Sequence, residues 1–140
     1  MGWDVAAVVP RRYVLDTHAC VFLLAAPQKL GVHARRALER VESGREEAWV
    51  PAAVAAEIVL LRELGRIRIG LPQLRETLDS VPGLRFLPLE LDQLDHFVSL
   101  TSIRDPFDRL IMSAARSLKA ELISRDEALG ESGLVRIVWS

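Results

Sequence analysis

The stretch Tyr13-Val14-Leu15-Asp16-Thr17-His18 decides the fold. Three apolar residues read as a short buried strand, and the run stops on an acid. A helical pattern then follows and closes before Pro27. The same sentence is written again near the other end of the chain, in Leu122-Ile123-Ser124-Arg125-Asp126. Between the two copies, short apolar runs alternate with longer helical patterns. That alternation is the signature of an α/β domain with a largely parallel sheet.

Working outward, helical spacing predicts a helix over 32–43 with Gly44 as its stop. Ala48-Trp49-Val50 is a strand, and Pro51 is placed to open a helix reaching about Leu64, with Gly65 after it. Further helices are expected over 71–81, 91–100 and 106–118, with strands at 85–89, 121–124 and 134–139. No repeat, low-complexity tract or long linker divides the chain, so residues 1–140 read as one domain, with 1–11 as a loose N-terminal extension.

Four acids stand out. Asp16 and Asp126 each follow an apolar strand, and ligands of open parallel sheets bind beyond the carboxyl ends of strands. Each is equally placed to cap the helix that follows, Asp126 for the short stretch up to Gly130. Glu57 is the single charge in a run from Pro51 to Leu61. Helical spacing puts it on one face with Ala53, Leu60, Leu61 and Leu64, where a carboxylate is costly unless it is paired or holds a cation; the alternatives are a surface residue on a helix that is apolar nearly all round, or a core acid paired with an arginine. In Asp105-Pro106-Phe107-Asp108-Arg109, Asp105 reads as the N-cap, Pro106 as the first helical residue and Asp108 as the acid of the first turn. Asp108 also lines up with Ile111, Ala115 and Leu118 and so is aimed toward a site. In a parallel sheet, strand ends and helix starts share one rim, so these carboxylates can converge. Like charges at close range penalise each other. A hard divalent cation removes that penalty, and Mg²⁺ or Mn²⁺ prefers such oxygen ligands.

Composition narrows the classes. The three histidines, His18, His33 and His96, lack metal-ligand spacing, and Cys20 is the single cysteine, so a zinc site and an internal disulfide are both excluded. Cys20 reads as a small buried hydrophobe in a reducing, cytoplasmic setting. No Walker A or Gly-x-Gly-x-x-Gly motif occurs. Met1 to Pro10 lacks the basic start of a secretory leader and carries Asp4, and no apolar run approaches the ~20 residues of a membrane span. The net charge of −1 means that any nucleic-acid surface is a local patch. Trp3, Trp49 and Trp139 do not cluster and read as core or strand residues.

Four signatures, Val14-Leu15-Asp16-Thr17-His18, Ala56-Glu57-Ile58, Asp105-Pro106-Phe107-Asp108-Arg109-Leu110-Ile111 and Leu122-Ile123-Ser124-Arg125-Asp126, occur in the order and spacing of the PIN domain. The chain resembles that family from about Tyr13 to Trp139, and more narrowly the VapC-like toxins of type II toxin–antitoxin pairs. The resemblance implies a three-layer α/β/α fold with a central parallel sheet. It implies an acidic pocket of Asp16, Glu57, Asp108 and Asp126, with Asp105 assisting, that holds Mg²⁺ or Mn²⁺ and cleaves RNA endonucleolytically. It also implies a homodimer and a cognate antitoxin that blocks the pocket. Departures from the family pattern are Ile103-Arg104 where a histidine is frequent, Met112-Ser113-Ala114-Ala115, and Ser124 where threonine is common. None removes an acid, but they leave substrate choice open.

In this reading Thr17 and Ser124 orient a carboxylate or a metal-bound water, or simply cap helices. Arg109 pairs with an acid, holds a phosphate, or forms a structural ion pair. Arg11, Arg12, Arg62, Arg66 and Arg68 are candidates to flank the acids and hold RNA, or form a solvated face. Two rivals share the fold. One is a binding module without catalysis, and the other is an RNA-processing nuclease outside a toxin–antitoxin pair. A phosphotransfer domain fits less well, because Asp16 is followed by Thr17 and His18 and not by a second acid two residues on.

Overall fold

A computed structural model describes residues 9–140, so the expectations for the leader and for Trp3 lie outside the described residues. Five strands form one sheet: β1 (Arg12–Leu15), β2 (Glu47–Pro51), β3 (Leu84–Leu87), β4 (Glu121–Ile123) and β5 (Ile137–Val138). Their order is β3-β2-β1-β4-β5, and every neighbouring pair is parallel. The helices are α1 (Thr17–Ala25), α2 (Val32–Glu42), α3 (Ala52–Glu63), α4 (Leu71–Ser80), α5 (Leu91–Ser99), α6 (Pro106–Leu118) and α7 (Glu127–Glu131). One 3₁₀ turn, Pro27–Lys29, sits between α1 and α2.

The central strand shows why the chain folds in three layers. Tyr13, Val14 and Leu15 are all fully buried. Successive strand residues point to opposite faces, so both faces of β1 must be covered. A parallel sheet needs this, since its crossovers put helices on its faces. Fully buried Ile58 of α3, and Ala114 with nearly buried Ile111 of α6, belong to the same core. Cys20 is buried in it as well, and burial pushes its thiol up to about 12, so it stays protonated and inert.

The strand order defines one special place. From β1 the chain steps through β2 to β3 at one edge, then returns to build β4 and β5 on the other side of β1. The order therefore reverses between β1 and β4, and a crevice opens at their carboxyl ends. The Asp16 amide donates to the Ile123 carbonyl at 3.2 Å, so the β1–β4 ladder runs up to the lip of that crevice.

Several boundaries differ from expectation. Pro51 ends β2 and serves as the extended N-cap of α3, so the helix opens at Ala52. The last strand shrinks from 134–139 to Ile137–Val138, because only those residues find β4 as a partner. Strand β3 ends at Leu87, before Pro88, which lacks the amide a ladder needs. Gly65, at φ +72°, takes the left-handed turn that releases the chain from α3. Gly83 is required for space, since a Cβ there would lie 2.3 Å from the Glu46 carbonyl oxygen. Trp49 lies in β2 with the Arg85 guanidinium 5.8 Å from its ring, and Trp139 packs on Phe22. No helix among the described residues is long and apolar enough to cross a membrane.

Candidate active site

Asp16 leaves β1 in extended conformation and caps α1, accepting from the Ala19 amide at 2.9 Å through Oδ1. The capping alternative is thus true of Asp16, and it does not exhaust the residue, because the same carboxylate lines the crevice. Burial raises its pKa. The Ser124 hydroxyl, the Ala19 amide and His18 pull the other way, and Asp126 adds to the rise.

Asp126 repeats the pattern after β4. Its carboxylate accepts from the amides of Ala128 at 3.0 Å and Leu129 at 3.3 Å, capping α7. Its own amide donates to the Ser124 hydroxyl at 3.0 Å. Ser124 is fully buried and stands between the two acids, so it orients both sides of the crevice.

Asp105 caps α6, accepting from the Asp108 amide at 3.0 Å. That cap sets the first turn and brings Asp108, half-buried, to the crevice. Its carboxyl is pushed up to about 6. Burial is the chief cause, followed by the charges of Asp105, Glu57, Asp126 and Asp16. One side chain therefore feels every acid that the sequence singled out. Asp16, Asp108 and Asp126 line one cavity of about 590 Å³ together with His18, Arg125 and Glu127.

Glu57 is held differently from expectation. Leu60 and Leu64, which share its helical face, are 44% and 67% exposed, whereas Val54 and Ile58 carry the buried face. Glu57 sits between the two faces, and its carboxylate accepts a short hydrogen bond from the Thr17 hydroxyl. Thr17 is buried at the start of α1, so this bond ties α3 to the turn that carries Asp16.

The cationic candidates fare less well. Arg109 donates from Nε to the Phe97 carbonyl at 2.8 Å, and its guanidinium lies 4.1 Å from the Phe97 ring. It fastens α6 to α5 and forms no ion pair among the described residues. Arg11, just before β1, and Arg12, its first residue, lie at the amino end of the strand, away from the acids. They pair there with Glu121 and Glu47. Arg62 donates to the Arg68 carbonyl at 2.7 Å, which ties it to the turn between α3 and α4, where Arg66 and Arg68 also lie. The nitrogen-bearing side chains that do reach the crevice are those of His18 and Arg125. Sequence reasoning passed over them as neighbours of the acids, although residues beside a strand-end carboxylate are bound to share its rim.

The donor set is all oxygen, and the two capping acids accept their helix amides through one carboxylate oxygen each. That chemistry suits a hard divalent cation. No three acids, histidines or cysteines among the described residues are drawn together as a closed ligand group, so binding would require the carboxylates to close by side-chain rotation.

Residues 13–132 match the PIN domain family, and the chain belongs to it. Solved structures of similar fold include VapBC2 from Rickettsia felis bound to a promoter DNA fragment, 15% identical with a TM-score of 0.68 over 92% of this chain and 99% of that one. DNA-bound VapBC from Salmonella typhimurium is 16% identical with a TM-score of 0.65, covering 91% and 96%. FitAcB from Neisseria gonorrhoeae is 17% identical with a TM-score of 0.61, covering 89% and 95%. No curated protein matches the sequence.

Proposed function

We propose that this PIN-domain protein is a divalent-metal-dependent endoribonuclease that acts as the toxin of a toxin–antitoxin pair. One observation carries the nuclease reading. Carboxylates from three separate segments, Asp16, Asp108 and Asp126, line one cavity at the switch point of a parallel sheet. The toxin reading is supported by the neighbours of similar fold, which are toxin–antitoxin complexes.

Asp16, Glu57, Asp108 and Asp126 would hold Mg²⁺ or Mn²⁺, with Asp105 nearby. Bound there, the ion would supply positive charge toward the phosphate and make a bound water more acidic. The chain's own residues do the positioning. Thr17 holds the Glu57 carboxylate, Ser124 holds the Asp126 backbone beside Asp16, and Asp105 fixes the turn that aims Asp108. We place the protein in the cytoplasm as a homodimer silenced by a cognate antitoxin that covers the crevice.

A PIN-fold binding module is favoured by one observation, the lack of a closed metal-ligand group among the described residues. Cleavage of a labelled single-stranded RNA panel in Mg²⁺, Mn²⁺ or EDTA, by the native chain and by Asp16→Asn, separates the two. The nuclease reading expects cutting that needs metal and falls at least about a hundredfold in the variant, since an ion contributes several kcal/mol at the transition state. Partner binding with no cutting under any condition would support the module, and cutting that survives EDTA would sink the metal mechanism.

A further inference from the structure

We infer that the groove between α2 and strands β4 and β5 is a track for the phosphodiester backbone of single-stranded RNA. It would hold the strand on one side of the cutting position, and it rests on the nuclease reading above.

The groove begins beside the acidic crevice. The Arg125 guanidinium, in the crevice wall, lies 5.2 Å from the Phe22 ring, and the His18 ring lies 6.3 Å from it. Phe22 packs against Trp139 at 6.2 Å. Trp139 in turn lines a second cavity of about 420 Å³. The buried Phe22 ring therefore stands between the two cavities, with Arg125 of one on one side and Trp139 of the other on the other.

From Trp139 the groove follows α2 across the sheet. The helix starts against Trp139, whose carbonyl accepts from the Ala34 amide at 2.9 Å. It ends at the opposite rim, where the Val41 carbonyl accepts from the Gly83 amide just before β3. His33, Arg36 and Arg40 share one face of α2 and line the groove. They cover about 10 Å at 1.5 Å per residue. Arg136 and Arg11 close the far end, and Tyr13, Ile137 and Val138 form the floor.

Charge decides what such a groove would take. Four guanidiniums stand against two carboxylates. Arg40 is held by Glu46 at 2.8 Å, and Arg11 is paired with Glu121. Arg136 is 3.9 Å from Glu121 with 84% of its side chain exposed, and Arg36 forms no ion pair among the described residues. Arg36, unpaired among the described residues, and Arg136, loosely held and largely exposed, thus face a polyanion on a chain whose net charge is −1. Basic side chains along a groove with an aromatic ring at its mouth are the means by which proteins follow a single strand. Proximity to the acidic crevice, one buried ring away, selects the strand being cut over an acidic protein segment.

The test is binding of a fluorescent, unstructured 12-nucleotide RNA in EDTA over a NaCl series, with Mg²⁺-dependent cleavage followed in parallel. The double variant Arg36→Ala/Arg136→Ala should flatten the log–log salt slope by about 1.4, ~0.7 for each lost phosphate contact on a single strand. The double lysine variant should keep most of the slope. Arg75→Ala, on α4 near the opposite edge strand, should match the native chain. Native slope and affinity in the double alanine variant, with native cutting, would overturn the track and leave the nuclease reading standing. A native chain that neither binds nor cuts RNA would overturn both. Displacement of the RNA by poly-glutamate at least as effective as by unlabelled RNA would reassign the groove to an acidic protein segment.

Discussion

At the amino ends of the strands, acids and arginines come in partnered sets. Glu121 faces Arg11 and Arg136, Glu47 faces Arg12 and Arg85, and Glu46 takes Arg40 along with the Tyr13 hydroxyl at 2.6 Å. At the carboxyl ends, Asp16, Glu57 and Asp126 have hydroxyls and helix amides for partners, and neither they nor Asp108 form an ion pair among the described residues. The titration of the two rims follows. Burial pushes Glu46 upward, yet Tyr13 and Arg40 outweigh it and leave its pKa lowered. Asp16 and Asp108 are both raised. One sheet thus carries a rim where each of these acids is matched by arginine, with arginines to spare, and a rim where imbalance among acids is kept. Imbalance of that kind is what a cation site requires.

The comparison breaks first at the shell around the acidic rim. Thr17→Val keeps the shape of a buried side chain and removes the hydroxyl that holds Glu57. Metal-dependent cutting should fall about ten- to a hundredfold, as for other residues that orient a ligand. The melting temperature should move little, and a native rate would show that Glu57 needs no such anchor.

Asp108→Asn tests the imbalance itself. In EDTA the folded chain binds a proton at Asp108 up to about pH 6, whereas an ordinary carboxyl loses it near 3.8. Native stability at this site therefore falls as pH rises from about 4 to 6 and stays low above that. The asparagine variant should melt a few degrees above the native chain at pH 7–8, with the gap closing toward pH 4. Saturating Mg²⁺ should raise the native chain and leave the variant nearly unmoved. A variant less stable than native in EDTA at pH 7 would contradict the crowding of charge at this rim.

The opposite sign is expected at the matched rim. Glu46→Gln should cost about 1 kcal/mol at pH 7, because Arg40 and Tyr13 lose a charged acceptor. The lowered pKa of Glu46 supplies stability that is present above its ordinary value of 4.5 and lost as pH falls through the folded value. Native and variant curves from urea unfolding should therefore converge as pH falls below 4.5 and through the lowered value. Curves that stay parallel would mean that Glu46 acts through packing and not through charge.

Much of this contrast could be read in the sequence, and the unread parts have a common physical origin. The acids at Asp16 and Asp126 were legible because an apolar run fixes a strand and the next residue must emerge at its end. Asp105 was legible as a cap because Asp-Pro at a helix start has few other uses. Arg11 and Arg12 were left open between flanking the acids and a solvated face, although the same strand logic assigns them to the far rim. The face of Glu57 was misjudged because Leu60 and Leu64 look buried by composition, and only tertiary packing shows that Val54 and Ile58 face inward. The seat of Arg109 on Phe97 and the bond of Glu46 to Tyr13 join residues 12 and 33 positions apart, beyond the reach of periodicity.

The hydrogen bond from the Asp16 amide to Ile123 has a kinetic meaning. It makes the first acid a rung of the central ladder, so that amide should exchange with solvent only on the slow timescale of global opening. The Asp126 amide hangs on a serine hydroxyl, at the head of a five-residue helix. The site would therefore have one fixed jaw and one looser jaw, and an ion held there would be gripped last from the Asp126 side.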